Sequence, residues 1–493
     1  MSPVPDDAAM NDSQPRLAPD TLAALPDSTV ERPGYRREAL RSGIVHLGLG
    51  AFARAHLALA TEQAIARTQD LRWGITGVSM RQPDTWAALA PQAGLYTLAE
   101  RDAGADGAPR ERLQVIGCVR ELLVAPRDEA VVVERLAAAG TRIVSLTITE
   151  KGYASVGDGS AADLIVRALA ARRAHGRGGV TLLSLDNLPG NGHHLRQRVL
   201  ERAADEGEAL DTWIDAHCSF PNSMVDRIVP RTTAADVAAV SRRLGLHDAW
   251  PVVAEPFFDW VVEDHFIAGR PDWLAPVRYA ADAAPWEQVK LRLVNGAHSQ
   301  IAYCGAMAGW PTVDAAIGQP LLATHVEALL RDEMEPTLPQ LAGWDGDAYR
   351  AALLQRWRNP ALAHRCQQIA MDGSQKIPQR WVAPLTQRLA AGAPIHRLAF
   401  GVAAWIHYLR GLDETGAPYP IDDPLGGRLQ AALGGTDALA DARALTDLPA
   451  VFGPLAGHPR LAAEAAVHLQ RLRVGGVVAA LALLAGQASP PPA

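Results

Sequence analysis

The segment Trp286-Glu287-Gln288-Val289-Lys290-Leu291-Arg292-Leu293-Val294-Asn295-Gly296-Ala297-His298 carries the residues best suited to chemistry. Read as an α-helix, it turns ~100° per residue. Glu287 then lies about 60° round from Lys290, His298 about 80° and Asn295 about 140°, so four polar groups share one side. Leu291 and Val294 point elsewhere. The Leu-, Val- and Ala-rich setting continues into IAYCGAMAG and reads as buried; the competing reading is a surface helix with scattered polar residues. Burial disfavours an ammonium, so a lysine there titrates low, as a general base requires. Asn-Gly inside a helix costs about 1 kcal/mol at the glycine, and a local rule broken in this way can mark a functional site.

A second polar cluster follows the apolar run Val180–Leu185, in Ser184-Leu185-Asp186-Asn187-Leu188-Pro189-Gly190-Asn191-Gly192. Ligands of open α/β sheets bind beyond the carboxyl ends of strands. Asn187 sits at such an end and could donate its amide N–H to a substrate oxygen. Asp186, Asn187 and Asn191 could equally be turn-builders before Pro and Gly.

A third site candidate is a glycine loop. Ile44-Val45-His46-Leu47 runs into Gly48-Leu49-Gly50-Ala51-Phe52-Ala53-Arg54, a G-x-G-x-x-A pattern, and then into a helix-like stretch from Ala55 to Arg67. The first glycine permits a tight turn, the second lets the backbone approach a pyrophosphate, and Ala53 keeps the helix close to the strand. Phosphates would rest on the N–H groups at the helix start, beside Ala51 and Phe52. A glycine turn without a ligand is the plain alternative. After the next run, Trp73–Ser79, come Arg81 and Asp84: an acid there would hold the ribose hydroxyls of NAD, an arginine the 2′-phosphate of NADP.

These residues need elements to hold them. From 43 to about 280, short β-branched or apolar runs alternate with helix-like stretches: Ile44–Leu49, Trp73–Ser79, Arg142–Thr149, Val180–Leu185 and Pro251–Ala254. That alternation predicts βαβ units and a mostly parallel sheet, an α/β domain. After about 285 such runs nearly vanish. Trp286–Ala308, Gln319–Met334, Ala399–Arg410 and Arg460–Leu484 show helical spacing between Pro and Gly, which predicts a mainly helical second domain.

The 493 residues are 48% hydrophobic and 20% charged, an ordinary globular balance, and the net charge of −7 argues against nucleic acid or an anionic membrane as partner. Cys118, Cys218, Cys304 and Cys366 form no C-x-x-C pair, so no structural metal is expected and the thiols read as free, in a reducing cytoplasm. The late apolar run Gly475–Gly486 is about half a membrane helix. The N-terminus lacks the basic and apolar regions of a secretory signal.

GLGAFARAH, TITEKGY (147–153), SLDNLPGNG, FPNSMVDRIVP (220–230), EPFFDWVVEDHF (255–266), K-x(4)-N-x-x-H (290–298) and MDGSQKIPQR (371–380) occur in this order. Together they resemble the mannitol dehydrogenase family of long-chain polyol and uronate dehydrogenases. The resemblance implies a lead-in over 1–42, a Rossmann-type NAD-binding domain over 43–280 and a helical substrate domain over 281–490. It implies metal-independent hydride transfer between NAD(H), rather than NADP(H), and an open-chain sugar derivative. It makes Lys290 the general base, Asn187 and Asn295 the oxyanion donors, His298 a substrate hydrogen-bonding residue and Glu287 part of a proton path. Lys376 reaches substrate. Departures from the family pattern are Ala53 for His, Leu185 for Cys, and Phe258-Asp259 for Arg-Gln.

MDGSQKIPQR is more similar to fructuronate reductases than to mannitol 2-dehydrogenases. The expected substrate pair is therefore D-fructuronate/D-mannonate, ahead of D-fructose/D-mannitol or D-xylulose/D-arabinitol. A carboxylate substrate calls for a further cation, with Lys376 and Arg380 as candidates, although Arg380 could equally be ion-paired or on the surface. A dinucleotide sensor with a degenerate site is the remote alternative. A monomer or small homo-oligomer is expected.

Overall fold

A computed structural model describes residues 14–26, 29–103, 108–148, 152–153, 155, 157–341, 344–435 and 437–486. Part of the expected lead-in, Thr149–Lys151 of the TITEKGY motif and the tail beyond 486 lie outside the described residues. The described chain divides into two compact units between Ala284 and Pro285.

In the first unit the strands are β1 (Val30–Glu31), β2 (Ser42–Leu47), β3 (Gly74–Ser79), β4 (Tyr96–Ala103), β5 (Pro109–Ile116), β6 (Val119–Val124), β7 (Ile143–Leu146), β8 (Thr181–Ser184), β9 (Ser223–Asp226), β10 (Val252–Ala254), β11 (Asp259–Glu263) and β12 (Val277–Ala280). The central sheet runs β6-β3-β2-β7-β8, every pairing parallel, the order of a Rossmann-type domain. Its strands read as apolar runs because both faces are covered. Ile44 of β2 enters one core with Leu57 and Ile65, while Val45 and Leu47 enter the other with Val132, Leu136 and Leu164. That is the period-2 alternation of a strand, here apolar on both sides.

Two smaller mixed sheets, β1-β5-β4-β10 and β12-β11-β9, were not expected. The hairpin β4–β5 is disguised by charge: its tip pairs Arg101 with Glu111 across the strands at 2.6 Å. The Pro251–Ala254 run does form a strand, but β10 pairs with β4 rather than joining the parallel sheet. The helix after the glycine loop is also broken. Helix α1 (Ala51–Ala55) stops at His56, whose φ of −128° and ψ of −68° are not helical, and α2 (Leu57–Thr68) restarts with the His56 Nδ1 accepting from the Leu57 N–H.

The described part of the second unit is helical, with β-pairing confined to isolated bridges. Three of its helical segments are π-helical: Lys290–Gly296, Leu330–Met334 and Pro378–Val382. The late apolar run belongs to the helix Pro459–Ala485, whose 27 residues are long and apolar enough to cross a membrane by length and composition. Its Leu461, Ala465, Leu469, Leu472 and Leu481 are instead buried, and it packs on the helices His396–Tyr408 and Ala438–Thr446. At Gly476 it breaks: φ is +71°, and a side chain there would meet the Glu414 carboxylate.

Candidate active site

The glycine loop is held from below by β2. Gly48 has φ +91°, and a Cβ there would stand 2.2 Å from the Thr147 carbonyl oxygen, so only glycine fits. Thr147 Oγ1 donates to the Gly48 carbonyl at 2.6 Å. His46 Nε2 therefore donates to Thr147 Oγ1 at 3.0 Å, and Nδ1 accepts from Ser145 Oγ at 2.8 Å. Burial pushes the His46 imidazole down to about 4, which keeps it in this neutral form. Sequence reasoning missed His46; its signal was a lone polar residue inside a buried strand.

Gly50 differs from Gly48. Its φ of −87° suits any residue, and a Cβ would meet only the Gly48 carbonyl oxygen, at 3.8 Å. The backbone here is open on one side and leads into the N-terminus of α1, the cradle a pyrophosphate needs. Ala51 and Phe52 are half-buried at that start, with the Phe52 ring 4.3 Å from His56, and Ala53 is fully buried. Arg81 and Asp84 are both exposed beyond β3, and Asp84 is the first residue of the helix Asp84–Leu89.

At the end of β8 the three polar residues separate. Asp186 Oδ2 accepts from the Ile148 N–H at 3.1 Å. Asn191 Nδ2 donates to the carbonyls of Asp186 and Ser223, and its Oδ1 accepts from the Ser223 N–H. Gly192 lies so close to the Phe220 and Pro221 carbonyls that a Cβ would sit 2.5 and 2.6 Å from them. Asn191 thus ties the loop after β8 to Ser223 of FPNSMVDRIVP, and Asp186 ties it to Ile148. Asn187, on the same loop, is the exposed one.

Of the family departures, Phe258 is buried with the Arg227 guanidinium 5.5 Å from its ring centre, and Asp259 pairs with Arg278 at 2.6 Å.

In the second unit the Lys290 segment is not α-helical. Lys290–Gly296 is a π-helical turn, between the helices Ala284–Val289 and Ala297–Ala308. Bonding from i to i+5 places residues five apart about one turn apart. Lys290 and Asn295 are therefore stacked on one side, where α-helical geometry would splay them by about 140°. Both are half-buried; Glu287 and His298, on the flanking α-turns, are buried. The glycine of Asn-Gly is explained by packing: a Cβ on Gly296 would meet Met334 Cε at 3.0 Å and Trp381 Nε1 at 3.5 Å.

His298 lies against Trp357, with ring centres 5.8 Å apart, and edge-on to His364 at 5.3 Å. Its Nε2, His364 Nδ1 and Asn295 Nδ2 are buried atoms without a hydrogen-bond partner among the described residues. Burial holds the His298 imidazole well below its usual range, and His364, Arg380, Arg356 and Lys376 push the same way. Burial and Lys376 push His364 down to about 4. The DGSQK segment is anchored so that Lys376 reaches this place. Ser374 N and Oγ both donate to Asp423, and Gly373 leaves room for Trp405 and Tyr303, which a Cβ would approach to 2.7 and 2.8 Å. Lys376 Nζ donates to the Ile369 carbonyl at 3.1 Å. Arg380 is buried, with Nη1 on Ser299 Oγ at 2.6 Å and on the Asn295 carbonyl at 3.2 Å. His364 and Arg356 were missed in the sequence, where nothing in their local pattern distinguishes them.

Among the described residues no group of three or more His, Cys, Asp or Glu side chains is placed to hold a metal ion. The arrangement offers an amine, a primary amide and a group of cationic side chains on the second unit, and a glycine loop leading into a helix on the first.

Residues 42–275 match the mannitol dehydrogenase Rossmann domain and residues 282–473 the mannitol dehydrogenase C-terminal domain. The chain is 39% identical over 448 residues to a protein of Escherichia coli (strain K12) named uncharacterized oxidoreductase YeiQ, covering 86% of this chain and 90% of that one. It is 37% identical over 449 residues to the D-mannonate oxidoreductase of the same organism, covering 86% and 91%. Among solved structures, the Pseudomonas fluorescens mannitol 2-dehydrogenase ternary complex with NAD and D-mannitol matches with a TM-score of 0.88 at 34% identity, covering 96% of this chain and 100% of that one.

Proposed function

The chain belongs to the mannitol dehydrogenase family, and within it we propose an NAD-dependent reductase of D-fructuronate to D-mannonate. The observation that carries the substrate is the setting of His298. Three cationic side chains, Arg380, Arg356 and Lys376, act on its ring, and the neutral imidazole of His364 lies edge-on beside it. A carboxylate is attracted to such a setting more strongly than a neutral polyol is, because its charge strengthens each hydrogen bond it accepts from the N–H donors.

Bound NAD(H) supplies the hydride acceptor or donor. In alcohol oxidation Lys290, in its neutral form, takes the hydroxyl proton; in ketone reduction its ammonium returns a proton to the same oxygen. Asn295 donates its amide N–H to that oxygen as charge builds on it, contributing on the order of 3 kcal/mol, and the family pattern assigns Asn187 as a second amide donor. His298, Lys376 and His364 hold the remainder of the substrate. Glu287, three residues before Lys290, carries the proton onward. A cytoplasmic location belongs to the same proposal, in keeping with four buried free thiols.

Purified protein assayed in the reductive direction should turn over D-fructuronate with a higher kcat/KM than D-fructose or D-xylulose. Robust fructose reduction with no fructuronate reduction would reassign the enzyme to the polyols. His364→Phe should raise the KM for fructuronate more than that for fructose. NADH should be preferred to NADPH because Asp84 follows β3, and Asp84→Ala should narrow the preference. A wild-type preference for NADPH would instead put the decision on Arg81.

A further inference from the structure

We propose that Arg380 and Trp381 are positioning residues for the reaction, holding open the π-helical turn that sets Lys290 beside Asn295. This moves Arg380 off the substrate and onto the backbone, and it rests on the roles given to Lys290 and Asn295 above.

A π-turn is a rare departure from the α-helix and needs support from outside itself. Here support arrives where i→i+5 bonding gives way to the i→i+4 ladder of the helix Ala297–Ala308. Arg380 Nη1 donates to the carbonyl of Asn295 and, at 2.6 Å, to Ser299 Oγ one turn on. Trp381 Nε1 donates to the carbonyl of Gly296 at 3.0 Å. These are the last two residues of the turn, and both donors come from neighbouring positions of a second π-turn, Pro378–Val382. Trp381 is fully buried and Arg380 nearly so.

The middle of the turn is held as well. Arg292 gives Nη1 to the Thr337 carbonyl, just beyond the third π-turn, Leu330–Met334, and to Gln387 Oε1 at 3.3 Å. Gly296 lies close to Met334 and Trp381: a Cβ there would stand 3.0 Å from Met334 Cε, a tight contact, and 3.5 Å from Trp381 Nε1. Without these donors the segment relaxes toward an α-helix. Asn295 then rotates away from Lys290, and the amine and amide no longer address one oxygen. Proton transfer and oxyanion stabilisation both depend on placement, and an error near 1 Å can cost ~10²-fold in rate.

The test compares Trp381→Phe, which removes only the N–H and some ring volume, with Arg380→Lys, which keeps the charge and loses the planar fork. Each variant is measured for kcat and KM with the best ketone substrate, for the pH profile of alcohol oxidation, for NADH affinity by fluorescence titration, and for Tm. The expected result is a ~10–100-fold lower kcat in the folded variants, substrate KM and NADH affinity near wild type, and a displaced inflection in the pH profile. Folded variants with wild-type kcat and pH profile would overturn the proposal. So would an Arg380→Lys effect confined to substrate KM, which would return Arg380 to the substrate. If Trp381→Phe does not fold, Arg380→Lys decides by the same measurements. Should Lys290→Ala itself keep full activity, the underlying roles of Lys290 and Asn295 fail, an outcome read from a different variant.

Discussion

Lys290→Ala is expected to lower kcat by ~10²–10⁴, the cost of losing a positioned proton acceptor. NADH binding should persist, because the glycine loop proposed to cradle the phosphates is on the other unit, in residues 48–52. In the wild type, the rate of alcohol oxidation should rise with pH through one group that must lose its proton. That dependence should flatten in the variant, and small primary amines should restore part of the rate. Asn295→Ala offers the contrast: a lower kcat with an unchanged pH dependence, since an amide donor does not titrate. A Lys290→Ala enzyme with near wild-type kcat would make the cluster structural and remove the lysine from the mechanism.

The second large effect separates folding from binding within one loop. Gly48→Ala puts a side chain at φ +91° and 2.2 Å from the Thr147 carbonyl oxygen. Strain of ~1–3 kcal/mol for the backbone and a further ~1–3 for the collision should lower Tm by roughly 5–20 °C. Gly50→Ala meets nothing of the protein closer than 3.8 Å, so Tm should stay near wild type. In the proposed cradle its methyl group would stand where the phosphates approach, and NADH affinity should fall ~10–100-fold. Comparable Tm losses in both variants, or unchanged NADH affinity in Gly50→Ala, would show that the two glycines do not divide these roles.

Much of the scaffold was legible in local pattern. The strands β2, β3, β7 and β8 announce themselves as β-branched and apolar runs, because a parallel sheet covered on both faces selects such residues at most positions. The hairpin β4–β5 was hidden because its tip is polar: Arg101, Asp102, Arg110 and Glu111 face each other across the strands, and Arg101 and Glu111 also pair with neighbours instead of entering an apolar core. The broken helix at His56 had no local warning. There the interruption is associated with a ring packed against Phe52 and Trp260, the second of which is about two hundred residues away.

By itself the sequence determined the kinds of groups available and most of their supports. It placed a lysine, an amide and a histidine in one apolar segment, a G-x-G-x-x-A loop after the first long strand, and a D-N pair at a strand end. It also flagged Asn295-Gly296 as poor helix chemistry. Only the tertiary structure decided what that anomaly is for. The carbonyls that end the i→i+5 turn accept from Arg380 and Trp381, which are remote in sequence, so these contacts are absent from any local period. Likewise, spacing could not separate Asp186, Asn187 and Asn191, whereas in the fold Asp186 and Asn191 are buried and bond to Ile148 and Ser223 and Asn187 is exposed. The cationic setting of His298 is the same kind of fact. Arg356, His364, Lys376 and Arg380 gather there because separate helices and loops pack together, and through-space charge follows distance in the fold rather than distance along the chain.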